Sequence, residues 1–178
     1  MKKMSQIILL FLWIASLQAQ QLQQNSQETK VKFKVKNLGI SVDGDFSEVA
    51  ITSIFNEMDL QSSLVVGIIQ VNSIDTNNKK RDKHLLESDY FDADKYPEIR
   101  LESRKIERVS ENQYIMKADL SIKGTTKSIE IPIEIIEKND EVVMKSEFVI
   151  DRRDFKVGDR SWVLTDSVNI NVVYTANK

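Results

Sequence analysis

Tyr114-Ile-Met-Lys-Ala-Asp-Leu-Ser-Ile-Lys-Gly-Thr-Thr-Lys-Ser-Ile-Glu-Ile-Pro-Ile-Glu-Ile135 decides the fold of this chain. Tyr114, Met116, Ala118, Leu120 and Ile122 alternate with Ile115, Lys117, Asp119, Ser121 and Lys123. After Gly124-Thr125-Thr126, Ile129, Ile131, Ile133 and Ile135 alternate with Ser128, Glu130, Pro132 and Glu134. A period of two is the mark of a half-buried strand. A short polar link between two such runs favours an antiparallel hairpin. Pro132 has no N–H for a ladder, so it is expected at a bulge or where pairing is interrupted.

The same period continues on both sides. Beyond Asn139-Asp140 come Val142, Met144, Ser146, Phe148 and Ile150, then Val168, Ile170, Val172 and Tyr174. Upstream, Pro97 pushes Tyr96 toward extended geometry, and Ile99, Leu101 and Ser103 share one face. A strand over about 63–74 is apolar on both faces at Leu64, Val65 and Val66, and another covers about 45–54. Val31, Phe33 and Val35 alternate with Lys32, Lys34 and Lys36. This makes eight strands. The one helix is expected around 79–87, with Asn77 or Asn78 as its N-cap, and a short turn near 37–41. Eight antiparallel strands with one apolar face close into a barrel or stack as a sandwich, and pattern alone leaves both open.

Lys2 and Lys3 precede an apolar run over 7–15, and Leu17-Gln18-Ala19 is an acceptable cleavage site. The run is shorter than the roughly 20 residues of a membrane-spanning helix. Residues 1–19 are therefore expected to be a cleaved signal peptide and the polar stretch 20–29 a flexible tether, leaving one domain over 30–178. Of 25 basic residues, 23 remain without Lys2 and Lys3, against 27 acidic residues, a net charge of −4. That balance and the interleaving of Lys with Glu argue against a nucleic-acid partner. There is no Cys, so the core must hold without disulfides, and the cleavage site offers no cysteine for lipid attachment. A soluble periplasmic or secreted protein, without stable membrane insertion, is the expectation.

Catalytic equipment is sparse. His84 is the single histidine, so a Ser-His pair would have to use it, and a zinc site wants several His or Cys ligands. Asp89, Asp92 and Asp94 read as turn residues before Pro97. Five glycines stand singly, with no phosphate-binding loop. The chain is read as not an enzyme, with no metal and no required cofactor. On the inward face Gly67, Ser73, Ser103, Ala118 and Ser146 stand beside larger apolar residues. Such a mixture either leaves room for a guest or interdigitates as an ordinary core.

Four landmarks carry a resemblance. Ser73-Ile-Asp-Thr76 is followed by Arg81-Asp-Lys-His-Leu-Leu-Glu-Ser-Asp-Tyr-Phe-Asp-Ala-Asp-Lys-Tyr-Pro-Glu-Ile-Arg-Leu-Glu-Ser103, then by Leu120-Ser-Ile-Lys-Gly-Thr-Thr-Lys127 and Ile150-Asp-Arg-Arg-Asp-Phe155. In content and order they resemble the YceI-like family, the lipocalin-like polyisoprenoid-binding proteins. The likeness runs from about Val31 to Thr175. It departs over 48–61, where Ala50, Ile54, Phe55 and Met58 replace the Gly and acidic-proline turn of many relatives.

The resemblance implies an all-β fold, an eight-stranded antiparallel lipocalin-like barrel with one short helix. It also implies an elongated apolar cavity for an isoprenoid quinone or similar amphiphilic lipid, which the protein binds, stores or carries. Candidate ligand contacts are then Phe33, Val35, Val65, Ile69, Leu101, Met116 and Ala118. To these are added Leu120, Ile131, Met144, Phe148, Trp162, Ile170 and Val172. Arg81, His84, Asp151 and Arg152 are candidates for a lipid head group. Their alternative is structural: Arg81, Asp82 and His84 pinning the helix to the rim, and residues 151–154 forming an ion-paired corner. Trp162 is expected over the barrel mouth or as a cap on the core, and Ala118→Trp to block lipid uptake in a folded barrel. The rival reading is a non-catalytic envelope stress or interaction protein with a filled barrel. Pairing of two barrels into a homodimer stays open.

Overall fold

The computed structural model describes residues 21–178. The expected signal peptide and Gln20 lie outside the described residues. The strands are β1 (Gln21–Gln24), β2 (Lys30–Asn37), β3 (Ile40–Phe46), β4 (Val49–Ile54), β5 (Leu64–Gln70) and β6 (Ile74–Asp75). Then come helix α1 (Lys79–Leu85) and strands β7 (Glu98–Arg108), β8 (Gln113–Ile122), β9 (Thr125–Lys138), β10 (Glu141–Asp151) and β11 (Ser167–Asn177).

Every pairing is antiparallel, and the sheet closes on itself. From β4 through β5, β7, β8, β9, β10 and β11, each main strand pairs with the next. The closing edge of β11 pairs with β2 at Asn169–Val173 and with β1 at Ala176 and Asn177. In turn β2 pairs with β3, and β1 with β4. So β1 and β2 are two halves of one barrel strand, broken at 25–29, and β3 and β4 are two halves of the next, broken at Ser47-Glu48. Counted this way, eight strands close in chain order, and the alternative of a sandwich is eliminated.

The expectation of a flexible tether over 20–29 fails for Gln21–Gln24. Leu22 is buried in the core. The Gln24 side chain donates to the Val49 carbonyl (2.9 Å) and accepts from the Ile51 N–H (2.6 Å). One apolar residue among glutamines gives no periodic signal, yet its burial and these bonds fix the strand.

Three tight turns shape the hairpins. Leu38-Gly39 and Lys123-Gly124 have both central residues at positive φ, the geometry that matches strand twist. Gly124 is needed twice over, because a Cβ there would stand 2.6 Å from Tyr96 Cε1. Asn139, at φ 45°, opens the turn between β9 and β10. The register of β7 against β8 shifts at Arg104, so Ile99, Leu101 and Ser103 and then Ile106 all face inward. Pro132 sits where its strand loses one partner: the ladder of β9 with β10 ends at Glu134↔Lys145. There the Ser146 hydroxyl donates to the Pro132 carbonyl at 2.7 Å.

The inward faces form two clusters. One, holding Met116, Ala118, Ile131, Met144 and Tyr174, fills the half of the barrel at the β9–β10 turn. The other, holding Val71, Ile99, Leu120, Ile122, Phe155 and Val157, lies at the end covered by α1 and the β10–β11 connection. Helix α1 starts at Asn78, whose side chain accepts from the Arg81 N–H at 3.1 Å. On the outer face, ion pairs such as Arg104–Asp119 (2.7 Å) and Lys117–Glu107 (3.4 Å) join neighbouring strands. Being exposed, each contributes at most about 1 kcal/mol.

Candidate functional site

The α1 end of the barrel is hollow. A cavity of about 830 Å³ has walls from Phe33 and Val35 on β2, Val42 and Phe46 on β3, Ile99 on β7, Ile122 on β8, Ile150 on β10, and Val168 and Ile170 on β11. These are consecutive inward positions of the period-two pattern, so strand geometry alone delivers an apolar wall. Leu85, Tyr90, Phe91, Phe155 and Val157 cover it from above. Asn37, Asn78, Lys80, Arg81, Lys83, His84 and Glu87 form the rim. Lys80, Lys83 and His84 are exposed, so the cavity opens to solvent past two lysine ammonium groups and an imidazole. The arrangement is an apolar chamber with a polar mouth, within the roughly 300–1,000 Å³ typical of small-molecule sites.

Aromatic rings line one wall. Phe33 and Phe46 have centroids 5.6 Å apart, and Phe91 meets Phe46 nearly edge-on at 6.4 Å. The Phe33 ring lies over Gly44, its cross-strand partner, and a Cβ on Gly44 would stand 2.3 Å from Phe33 Cζ. Gly44→Ala must therefore push the ring off its site. We expect a loss of about 1–3 kcal/mol, read as a lower thermal midpoint, because the strand has no slack for a methyl group. A midpoint equal to that of the parent protein would show that the ring relocates freely.

A second void, about 100 Å³, lies deeper. Going inward, Ile170 of the chamber is succeeded by Val172 of the void, Ile99 by Leu101, and Phe33 by Val31. The step is two residues, about 7 Å along a strand. Beyond the void, the Ser53 hydroxyl donates to Tyr174 Oη at 3.0 Å in a buried contact. Burial pushes the Tyr174 hydroxyl above its ordinary pKa, and the Ser53 bond opposes that shift. The hollow therefore occupies one half of the barrel. The smaller void continues it inward.

The sequence candidates divide accordingly. Phe33, Val35 and Ile170 line the chamber. Val65, Ile69, Leu101, Met116, Ile131, Met144, Phe148 and Val172 line the small void. Ala118 and Leu120 are buried core and line neither. Ala118, with no exposed surface at all, has no empty space to donate, which overturns the reasoning behind Ala118→Trp. Trp162 is 96% exposed and covers neither mouth nor core. Its neighbours hold the loop by backbone bonds, leaving the ring in solvent. Sequence reasoning missed Phe155, Val157 and Phe91, which sit in connections without periodicity. The continuation of each alternation could have found Ile99, Ile122, Ile150 and Val168.

The polar candidates are mostly bonded to protein. Arg81 donates through Nε to Thr76 Oγ1 (2.7 Å) and through Nη2 to the Thr76 carbonyl (2.6 Å). Buried Asp82 accepts from the Thr76 N–H (2.9 Å) and hydroxyl (2.6 Å). Both residues pin α1 to the barrel. Arg152 borders the chamber but is only 5% exposed. It donates to the carbonyls of Thr165 (3.1 Å), Val157 (2.8 Å) and Asp159 (3.0 Å), and to Asp166 Oδ1 (2.7 Å). Four of its five N–H donors are spent, so it is an ion-paired corner that ties β10 to the approach of β11. Asp151 lines neither cavity; it is exposed and caps its own turn, accepting from the Arg153 N–H at 2.8 Å. His84 remains on the rim, half exposed, its Nδ1 2.8 Å from Glu87 Oε2 and its ring edge-on to Tyr90.

Comparison with known proteins agrees with this fold. The model of the YceI-like domain matches residues 22–176. A UPF0312 protein of Photorhabdus laumondii is 32% identical over 111 residues, 62% of this chain and 57% of its own length. The chain thus spans under three-fifths of that curated relative. The crystal structure of Burkholderia cenocepacia BcnA superposes with a TM-score of 0.83 at 23% identity, covering 86% of this chain and 99% of that one. The polyisoprenoid binding domain from Saccharophagus degradans, implicated in plant cell wall breakdown, superposes with a TM-score of 0.72 at 11% identity, covering 90% and 99%. At these identities the two structures establish the shared fold.

Proposed function

This chain belongs to the YceI-like domain family, and from that premise we propose that it binds and carries a long-chain apolar lipid, an isoprenoid quinone or polyprenyl compound. The observation that carries the reading is the 830 Å³ chamber with apolar walls and a cationic rim. Apolar walls around open space favour an apolar guest, because each methylene moved out of water gains about 0.8 kcal/mol. A tail of three isoprene units, some fifteen carbons, could gain about 10 kcal/mol gross, against ordering costs of similar size. The net affinity then suits a carrier that must also release its cargo. The polyisoprenoid-binding domain of like fold supports the isoprenoid class.

A polar head would rest at the mouth. Lys80, Lys83 and His84 are exposed there beside the Asn37 and Asn78 amides, whereas Arg81 and Arg152 are committed to protein acceptors. Nothing in this arrangement requires turnover of the guest, and we propose carriage without catalysis, in the periplasm or outside the cell. The rival filled barrel fits only the half beyond the chamber, where packing leaves about 100 Å³.

Solvent extraction of the natively purified protein, followed by mass spectrometry, is expected to release close to one lipid per chain. A lipid-free extract, with no uptake of an added polyprenyl quinone, would refute the carrier.

A further inference from the structure

We propose that the mouth of the barrel is a docking surface for an anionic lipid bilayer, entered by Leu38, Ile40, Trp162 and Val163. The proposal goes beyond the carrier reading and supplies the place where cargo would be exchanged. The four side chains are 72%, 70%, 96% and 46% exposed. Single exposed apolar residues are commonplace, but a contiguous group marks an interaction site. The two segments that carry these four are joined along their backbones. Leu38 and Ile40 flank the tip of the β2–β3 hairpin, and the Leu38 N–H donates to the Val163 carbonyl at 2.7 Å. Asn37 pairs with Leu164, and the Thr165 N–H donates to the Lys36 carbonyl at 2.9 Å. Hairpin tip and loop form one ridge. Asn37, Val42 and Leu164, from the same two segments, line the chamber, so the ridge borders its opening.

The residues are not explained by the local fold. Leu38 has φ 52°, a conformation for which Asn, Asp or Gly is the usual choice. Leucine there bears strain and stays unburied. Trp162 stands in water with the Arg160 guanidinium 5.8 Å from its ring centroid. Tryptophan beside a cation is the pairing favoured at the membrane–water interface.

Charge selects the occupant. Lys36, Lys80, Lys83 and Arg160 are exposed around this end. Of the nearby acids, Asp43 is paired with Lys34, and Asp166 with Arg152 and Arg153; Glu87 lies against the His84 ring and exposed Asp159 next to Arg160, fewer than the four cations. The chain as a whole is net acidic at −2, so the mouth is a local cationic zone on an anionic protein. Convex apolar tips with flanking Lys and Arg suit insertion into an anionic headgroup layer.

The test uses the full chain carrying Trp13→Phe, so that Trp162 is the one fluorophore of its kind. Vesicles of phosphatidylcholine with phosphatidylglycerol, their acyl chains brominated, are expected to quench and blue-shift Trp162, less so as salt is raised. Leu38→Asn with Ile40→Asn keeps residues 1–20 and should weaken vesicle affinity by roughly tenfold or more. Lys80→Glu with Lys83→Glu should abolish the preference over pure phosphatidylcholine. Unquenched Trp162 on every vesicle, or hairpin variants that bind like the parent, would overturn the proposal. Self-association of the parent through this ridge without vesicle binding would do the same, by giving the surface to a second copy. The carrier reading is judged separately, by the lipid that extraction releases from the parent protein.

Discussion

Arg152→Met lowers stability by about 3–5 kcal/mol, because four hydrogen bonds from one buried guanidinium are lost together. The guanidinium holds three carbonyls and Asp166 in a corner from which solvent is nearly excluded. Methionine keeps roughly the volume and leaves the buried Val157 carbonyl without a donor, while the more exposed Asp166 turns to solvent. A domain of this size loses about 2–4 °C of thermal midpoint per kcal/mol, so a fall of roughly 6–20 °C is expected. Arg152→Lys should recover little, because a single ammonium cannot reach acceptors fanned around a planar fork. Phe155 and Val157, which roof the chamber, belong to the same corner, so lipid retention should drop with stability. A midpoint within about 2 °C of the parent would mean that the corner is not held by this residue.

Ile170→Trp, in contrast, should leave the barrel folded and weaken its hold on cargo. Ile170 faces the open chamber between Phe33 and Phe148 on the neighbouring strands. A larger side chain there grows into vacant space, which avoids the cost of overpacking. It takes the room of about four methylenes of guest, about 3 kcal/mol, or a loss of affinity on the order of 100-fold. Ala118→Trp is the matched control. Ala118 is completely buried between Ser103 and Ile129 on adjacent strands, so tryptophan must displace packed neighbours and should abolish folding. The pair is read by circular dichroism and by titration with a polyprenyl quinone. A folded Ile170→Trp protein with unchanged uptake would place the guest elsewhere.

The architecture was legible because burial on one face of a strand writes a period of two into the chain. Runs such as 114–122 and 168–174 could be assigned on that ground alone. The breaks at 25–29 and Ser47-Glu48 could not. They depend on how two half-strands share the same neighbours, a closure condition that no local pattern expresses. Closure also hid β1, whose Leu22 has no apolar companion in sequence.

The site was legible in part for a related reason. Alternation says which residues point inward, but not at which level of the barrel the inward residues stop touching. That depends on the summed volumes of eight strands. Phe33 and Ile170 fall at a hollow level, whereas Ala118 and Leu120, on the same kind of face, fall at filled ones. Arg152 shows the converse problem. Its charge suggests a head-group contact, and only the positions of three distant carbonyls reveal that its donors are already engaged.

The seam between the first and last strands has a kinetic meaning. Thr29 bonds to Thr175 across 146 residues of chain, while each of the β7–β8, β8–β9, β9–β10 and β10–β11 pairings joins consecutive strands. Long-range closures form slowly. Until residues 167–177 leave the ribosome, β10 and the β1/β2 strand both expose bare edges. A stalled or truncated copy would therefore offer two sticky margins to its neighbours, and a C-terminal nick would be a route to aggregates.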